Sequence, residues 1–382
     1  MIDVAAIFDW LVDGAPGADG SPAVLARLGA DLNARGVRVA RIAAFVRTLH
    51  PNVSGRGYVW KRGQADVTVV EPPYAILGTP EFLRSPTNVV CTTGRELRRR
   101  LDGDDDLEFE VLVDQRRTGM TDYLAVPLAF TSGDVHAVTF ATDAAGGFTD
   151  DELAALRTIS RPLGRIAEIL AVRRTAVALL SAYVGRDAGE RILAGHVQRG
   201  DTEIIRCVIW FSDLRGFTSM SGGAQPADII LVLNRVFDCQ VPAVERHGGE
   251  VLKFMGDGML AIFPIAADAA PVCAAAMTAT NEAFAALDAL NRNRATPLSF
   301  GVSLHVGEVA YGNIGGAARL DFTCIGPAVN LAARIEGLTG KLGKRLLVSE
   351  EFARAASTTE LRAVGAFELK GVAGAATVFE AT

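Results

Sequence analysis

A chain of 382 residues, 49% hydrophobic and 21% charged, carries enough apolar material for two packed domains and is neither a disordered nor a disulfide-stapled polypeptide. Its formal net charge of -6 provides no general basic surface for nucleic acid, so any polyanion has to be met locally. The five cysteines, Cys91, Cys207, Cys239, Cys273 and Cys324, are odd in number, scattered and without metal-ligand spacing, which fits a reducing cytosol and a cytoplasmic location.

The opening segment has neither a basic head nor a cleavage site, so no signal peptide is expected. Residues 1–150 mix short apolar strands at 37–45, 122–130 and 135–140 with helices such as 23–34, the texture of an α/β sensor-like unit. Thr149-Asp-Asp-Glu152 reads as a capping box that opens a long helix. Along it Leu156, Ile159, Leu163, Ile166, Leu170, Arg173, Val177 and Leu180 alternate spacings of three and four, the seam of a two-stranded coiled coil broken only by Arg173. The same stripe also suits a helix packed on its own domain, and Pro162 argues for a local kink.

Residues 185–200 read as a glycine-punctuated linker, so 151–203 is taken as a signalling helix and transducer segment. From Glu203 the texture turns to strongly apolar strands and an alanine-rich helix over 266–290, and a second domain is expected over 204–382. The most apolar long stretch, 259–279, is interrupted by Pro264, Asp268 and Pro271, which argues against membrane insertion.

The second domain holds the residues that speak to chemistry. A strand over 204–211 leads into Asp213, and Leu-Arg-Gly-Phe-Thr218 then turns the chain into a helix. Backbone amides at such a turn attract phosphate oxygens, although Asp213 could equally cap the helix that follows. Asp257 sits in Gly-Asp-Gly between the apolar runs 251–255 and 259–263, a tight hairpin signal that turn chemistry alone also explains. Asn330 and Arg334, four apart after Gly326-Pro327, share one helix face, which is open both to a ligand and to plain solvent. Of the 38 basic residues only five are lysine; Lys253, on the strand before Asp257, therefore marks a position that calls for a compact point-charge donor.

Taken together, Phe211-Ser-Asp-Leu-Arg-Gly-Phe-Thr218, Gly249-Glu-Val-Leu-Lys-Phe-Met-Gly-Asp-Gly258 and Asp321-Phe-Thr-Cys-Ile-Gly-Pro-Ala-Val-Asn-Leu-Ala-Ala-Arg334 resemble the class III adenylyl and guanylyl cyclases over about residues 204–380. The resemblance implies an α+β fold with a ferredoxin-like βαββαβ catalytic core, and a homodimer in which each site is shared. One subunit would supply Asp213, the Leu214 carbonyl and Asp257 to two Mg²⁺ or Mn²⁺ ions. The other would supply Asn330 to the ribose and Arg334 to the transition state. Gly216, Phe217 and Thr218 would cradle phosphate, and Arg345 and Lys370 fall where relatives carry triphosphate-binding cations.

By the same resemblance Lys253 and Thr323 would read the base. Lys253 can donate to adenine N1 and Thr323 can accept from N6, so ATP is the expected substrate and 3′,5′-cyclic AMP the product. Thr323 resembles the threonine-bearing adenylate cyclase subgroup. A guanylate cyclase and a catalytically silent nucleotide-binding regulator are the competing readings. Residues 1–150 resemble a GAF-type sensory domain at Val126-Pro-Leu128 and Phe140-Ala-Thr-Asp143, implying a small-molecule effector of unknown identity. No ligand-binding constellation stands out there, Cys91 and His136 being lone residues.

Overall fold

In a computed structural model, the structure describes residues 2–103, 106–223, 225–357, 360–372 and 374–381. The chain divides into two compact units, with the break between Leu179 and Leu180.

In the first unit, strands β1 (Arg41–Arg47), β2 (Gly55–Lys61), β3 (Thr68–Val70), β4 (Leu97–Arg100), β5 (Asp122–Ala129) and β6 (Val135–Thr142) form one antiparallel sheet in the order β3-β2-β1-β6-β5-β4. The helices are α1 (Ala5–Val12), α2 (Gly20–Ala34), α3 (Pro80–Leu83), α4 (Pro86–Thr93), α5 (Glu110–Arg117) and α6 (Asp150–Val184). Side chains alternate across β1. Ile42 and Ala44 join Leu28, Leu32, Trp60, Phe140 and Leu156 in a core that α2 and α6 complete. The opposite face packs Tyr123, Ala125 and Ala137 against Val90 of α4 and Leu112 of α5.

The capping box at the start of α6 forms as its residues dictate. The Glu152 amide donates to Thr149 Oγ1 at 3.3 Å, and the Thr149 amide donates to Glu152 Oε2 at 2.8 Å. Arg38 adds a bidentate contact to the same carboxylate, at 2.8 and 2.7 Å. Leu156, Ile159, Leu163 and Ile166 are buried in the unit's own core, so this half of the apolar stripe packs on its own sheet. Beyond it Ile169, Val172, Val177 and Tyr183 are exposed. The helix runs on through Pro162.

The second unit begins with a correction. The stretch read as a glycine-punctuated linker contains helix α7 (Arg186–Leu193), whose Ala188 and Ile192 pack against Cys207, Ile209 and Tyr311. Its remaining helices are α8 (Phe217–Ser221), α9 (Pro226–Arg246), α10 (Ala269–Asn291), α11 (Pro327–Lys341) and α12 (Glu350–Ala356). Its strands are β7 (Thr202–Leu214), β8 (Glu250–Met255), β9 (Gly258–Pro264), β10 (Phe300–Gly316), β11 (Arg319–Ile325), β12 (Leu346–Ser349), β13 (Leu361–Glu368) and β14 (Ala375–Ala381).

The sheet order is β13-β14-β12-β10-β7-β9-β8, with β11 paired to β10. The sequence β7-α9-β8-β9-α10-β10, arranged in space as β10-β7-β9-β8, is a βαββαβ core. On one face Val236 and Val244 of α9 and Ala276, Ala279 and Ala283 of α10 pack on Trp210, Phe263 and Phe300. Small alanines let α10 lie close to the sheet. The other face is covered more sparsely, by α7, β11 and α11, and the chemistry-bearing residues gather there. Among the described residues no helix is long and apolar enough to cross a membrane.

Candidate active site

Asp213 lies near the end of β7, between two glycines. It pairs with Gly258 of β9 on one side and Gly301 of β10 on the other. A Cβ on Gly258 would stand 3.2 Å from Asp213 Oδ1, and one on Gly301 would stand 2.1 Å from Thr339 Oγ1 and 2.8 Å from Glu336 Oε1. The bare backbone at Gly301 therefore lets α11 lower a third carboxylate onto the sheet beside Asp213. Asp257 occupies the two-residue turn between β8 and β9, where Gly256 takes the left-handed conformation with φ 66°.

These acids feel one another. Burial first, and the charge of Asp257 second, push the Asp213 carboxyl up to about 6. Burial and then the Asp213 charge push Glu336 up to about 7, with the Asp257 charge a smaller contribution; a hydrogen bond from Thr339 and the charge of Arg215 oppose the rise. A site that accumulates negative charge it does not neutralise is suited to a cation. Among the described residues no three His, Cys, Asp or Glu side chains are arranged as a metal cage. Two carboxylates plus the Leu214 carbonyl suit a hard cation that completes its shell with water and substrate phosphate, as Mg²⁺ does. The chain thus fits a divalent ion shared with a polyphosphate better than a fully protein-ligated metal.

Lys253 and Thr323 line a cavity of about 850 Å³, together with Asp321 and the turn from β10 into β11. Lys253 Nζ lies 3.3 Å from Asp321 Oδ2, and Thr323 is buried with its hydroxyl unpartnered. Asp321 is one residue to which the sequence assigned no role. Alternation along β11 places it on the same face as Thr323, and that period of two was the signal available.

Asn330 and Arg334 share the exposed face of α11, and neither side chain has a hydrogen-bond or ion-pair partner among the described residues. Glu336, two residues past Arg334, is buried on the other side of the same helix. Within one chain, therefore, the carboxylates and the Asn330/Arg334 pair belong to opposite faces of α11. Gly216 adopts the left-handed conformation, with φ 71°, that turns β7 into α8, where Phe217 and Thr218 follow.

The two remaining cations do not join these groups. Arg345 donates to Asp288 Oδ2 at 3.1 Å and to the Phe284 carbonyl at 3.3 Å, and stacks 4.2 Å over the Phe284 ring. Lys370 is exposed beyond β13. Arg215, which had no assigned role, spans the region instead: it donates to the Lys344 carbonyl and its charge bears on Glu336.

Residues 201–380 match the family described as adenylate and guanylate cyclase catalytic domain. An adenylate cyclase of Anabaena cylindrica is 35% identical over 173 residues, covering 43% of this chain and 34% of the relative. Adenylate cyclase 1 of Rhizobium meliloti is 27% identical over 250 residues, covering 63% of this chain and 37% of its own. The chain thus spans about a third of the length of these curated relatives. A solved bacterial light-regulated adenylyl cyclase superposes with a TM-score of 0.50 at 24% identity, over 58% of this chain and 64% of the other, a likeness of fold.

Proposed function

We propose that the protein, whose residues 201–380 match the family described as adenylate and guanylate cyclase catalytic domain, is an adenylate cyclase that converts ATP to 3′,5′-cyclic AMP and pyrophosphate at a site shared by two copies of the chain. The observation that carries the reading is the Asp213 and Asp257 pair, set among glycines, in which burial and then the Asp257 charge push the Asp213 carboxyl up. Two Mg²⁺ or Mn²⁺ ions, when bound, would polarise the ribose 3′-hydroxyl and neutralise the triphosphate.

The protein's own residues take the remaining tasks. Asp213, Asp257 and the Leu214 carbonyl hold the charge, and the Gly216, Phe217 and Thr218 amides orient phosphate oxygens. Asn330 orients the ribose. Arg334 meets the negative charge that grows on the α-phosphate as the ring closes, which is where a guanidinium lowers a barrier rather than merely tightening binding. Two features favour a composite site: Asn330 and Arg334 face away from their own chain's acids, and apolar Leu320 and Ile325 stand exposed at the rim of the Lys253 cavity. Lys253 donates to adenine N1, and the unpartnered Thr323 hydroxyl accepts from the 6-amino group. Asp321 holds Lys253 in place.

Residues 1–150, read as a GAF-like sensory domain, and the segment 151–203 would set the activity of the catalytic domain in response to a small molecule. Turnover of ATP and of GTP under Mn²⁺, with cyclic nucleotide and pyrophosphate measured together, tests the assignment. Cyclic AMP as the main product is the expected result. Cyclic GMP as the main product would transfer the assignment to a guanylate cyclase, and no cyclic product from either would remove it. Deleting residues 1–148 should change activity or its response to effectors.

A further inference from the structure

The first unit contains a cavity of about 340 Å³ between its sheet and the segment that carries α3, α4 and α5. Its walls are mostly apolar, with Phe45 and Phe82 meeting edge to face at 6.2 Å and Ile76 beside them. Polar residues also line it, among them Ser85, Thr87, Tyr123 and Thr139, and two more, Gln115 and Arg41, lack partners. The Gln115 side chain, on α5, is 7% exposed, and its Oε1 has no hydrogen-bond partner. The Arg41 guanidinium, on the cavity face of β1, has no hydrogen-bond or ion-pair partner among the described residues.

Both arrangements are expensive without a partner. A buried carbonyl without a donor forfeits its hydrogen bond to water, and burial is the leading cause that pulls the Arg41 guanidinium below its ordinary range. Tyr123, buried next to Arg41, does not supply an anion, because burial holds its phenol protonated, up to about 12. Glu81 is exposed and also lines the cavity. One unpaired cation inside and one acid on the lining suit a singly charged anion and disfavour a phosphate dianion.

We propose that this cavity is a binding site for a small organic monocarboxylate that carries an N–H or O–H donor on an aromatic or aliphatic body. The carboxylate would lie on Arg41, the donor would face Gln115 Oε1, and the body would fill the space between Phe45, Phe82 and Ile76. A pocket of this kind takes its affinity from apolar walls and its selectivity from a few convergent polar groups. The assignment is independent of the reaction catalysed by the second unit.

The test uses the full chain, titrated calorimetrically and followed by thermal unfolding, with 4-hydroxyphenylacetate, indole-3-acetate, phenylacetate and neutral 4-hydroxyphenethyl alcohol. The first two should bind, phenylacetate roughly tenfold more weakly for want of a donor, and the neutral alcohol not at all. Arg41→Gln, with its fold checked by circular dichroism, should abolish binding of the acids. Gln115→Met, close in size and without the orphan oxygen, should raise the unfolding temperature of the unbound chain and erase the difference between phenylacetate and 4-hydroxyphenylacetate. Absence of binding by all three acids at about 10 mM, undiminished binding in the Arg41 variant, or a lower unfolding temperature in the Gln115 variant would overturn the proposal.

Discussion

Replacing Asp257 by Asn isolates the electrostatics of the carboxylate pair from catalysis itself. The Asp213 carboxyl rises from 3.8 to about 6, which corresponds to ~3 kcal/mol at ~1.4 kcal/mol per pH unit. Asp213 is only partly buried and burial is the larger cause, so screening leaves about 0.5–1 kcal/mol for the Asp257 charge. A raised carboxyl contributes stability that is full below its unfolded value near 4 and lost as pH rises through about 6. At pH 7.5 the metal-free chain therefore carries the full repulsion, and Asp257→Asn should raise the unfolding temperature of the second unit by about 1–3 °C. Below pH 4 that gain should vanish. Mn²⁺ at about tenfold over its dissociation constant should stabilise the parent chain by ~1.4 kcal/mol and the variant much less. Scanning calorimetry in chelator and in Mn²⁺, at both pH values, reads all three quantities. A variant less stable than the parent in chelator at pH 7.5, or one that keeps the full Mn²⁺ response, would refute the reasoning, whatever its activity.

Mixing Asp257→Asn chains with Arg334→Ala chains, each inactive alone, should restore up to about a quarter of parental activity if chains pair at random and one site of each heterodimer is intact; silence despite proven heterodimers would dismiss the shared site. Lys253→Glu should move the ATP:GTP preference toward GTP by about 10²-fold or more in kcat/KM, and an unchanged ratio in a folded variant would take Lys253 out of base reading. Burial alone would raise the Glu152 carboxyl, but hydrogen bonds from Arg38 and Thr149 outweigh it and hold it at about 2, so its ionisation stabilises the fold above about 4.5 and that contribution is lost as pH falls through 2. Glu152→Gln should lower the unfolding temperature of the first unit at pH 7 by about 4–8 °C, and a difference that persists undiminished below pH 2 would argue against charge as the cause.

The acids of the second unit were legible because each stands in a local motif where strand, glycine and carboxylate are contiguous. Asp213 and Asp257, 44 positions apart, are joined by strand pairing that the apolar runs on either side already imply. Glu336 was not legible in this way. Its place beside Asp213 depends on Gly301, 35 residues upstream, lacking the Cβ that would exclude α11. Helix α7 was hidden by Gly185, Gly189 and Gly195, which read as linker punctuation. Gly189 is in fact a close-packing residue whose Cβ would meet Leu180 at 3.2 Å. The stripe on α6 was ambiguous for a geometric reason: over four heptads, periods of 3.5 and 3.6 drift apart by less than the width of an apolar face.

Two lone residues of the first unit drew attention for their chemistry, and the structure gives both quiet surroundings. His136 accepts a hydrogen bond from the Arg47 amide at 3.4 Å and packs at a tilt against Phe130, with ring centroids 4.2 Å apart, and burial lowers its basicity. Burial likewise raises the Cys91 thiol, away from the reactive thiolate. Arg41 and Gln115, which lack partners at the cavity, are residue types too common to single out and lie 74 positions apart. Strand parity was nonetheless a clue. Arg41, Ala43 and Phe45 share one face of a strand whose other face, Ile42 and Ala44, belongs to the main core, and an arginine on the second face of a strand covered on both sides needs a partner. The cavity of about 340 Å³ on that second face, between the sheet and α3, α4 and α5, is the space such a partner would fill.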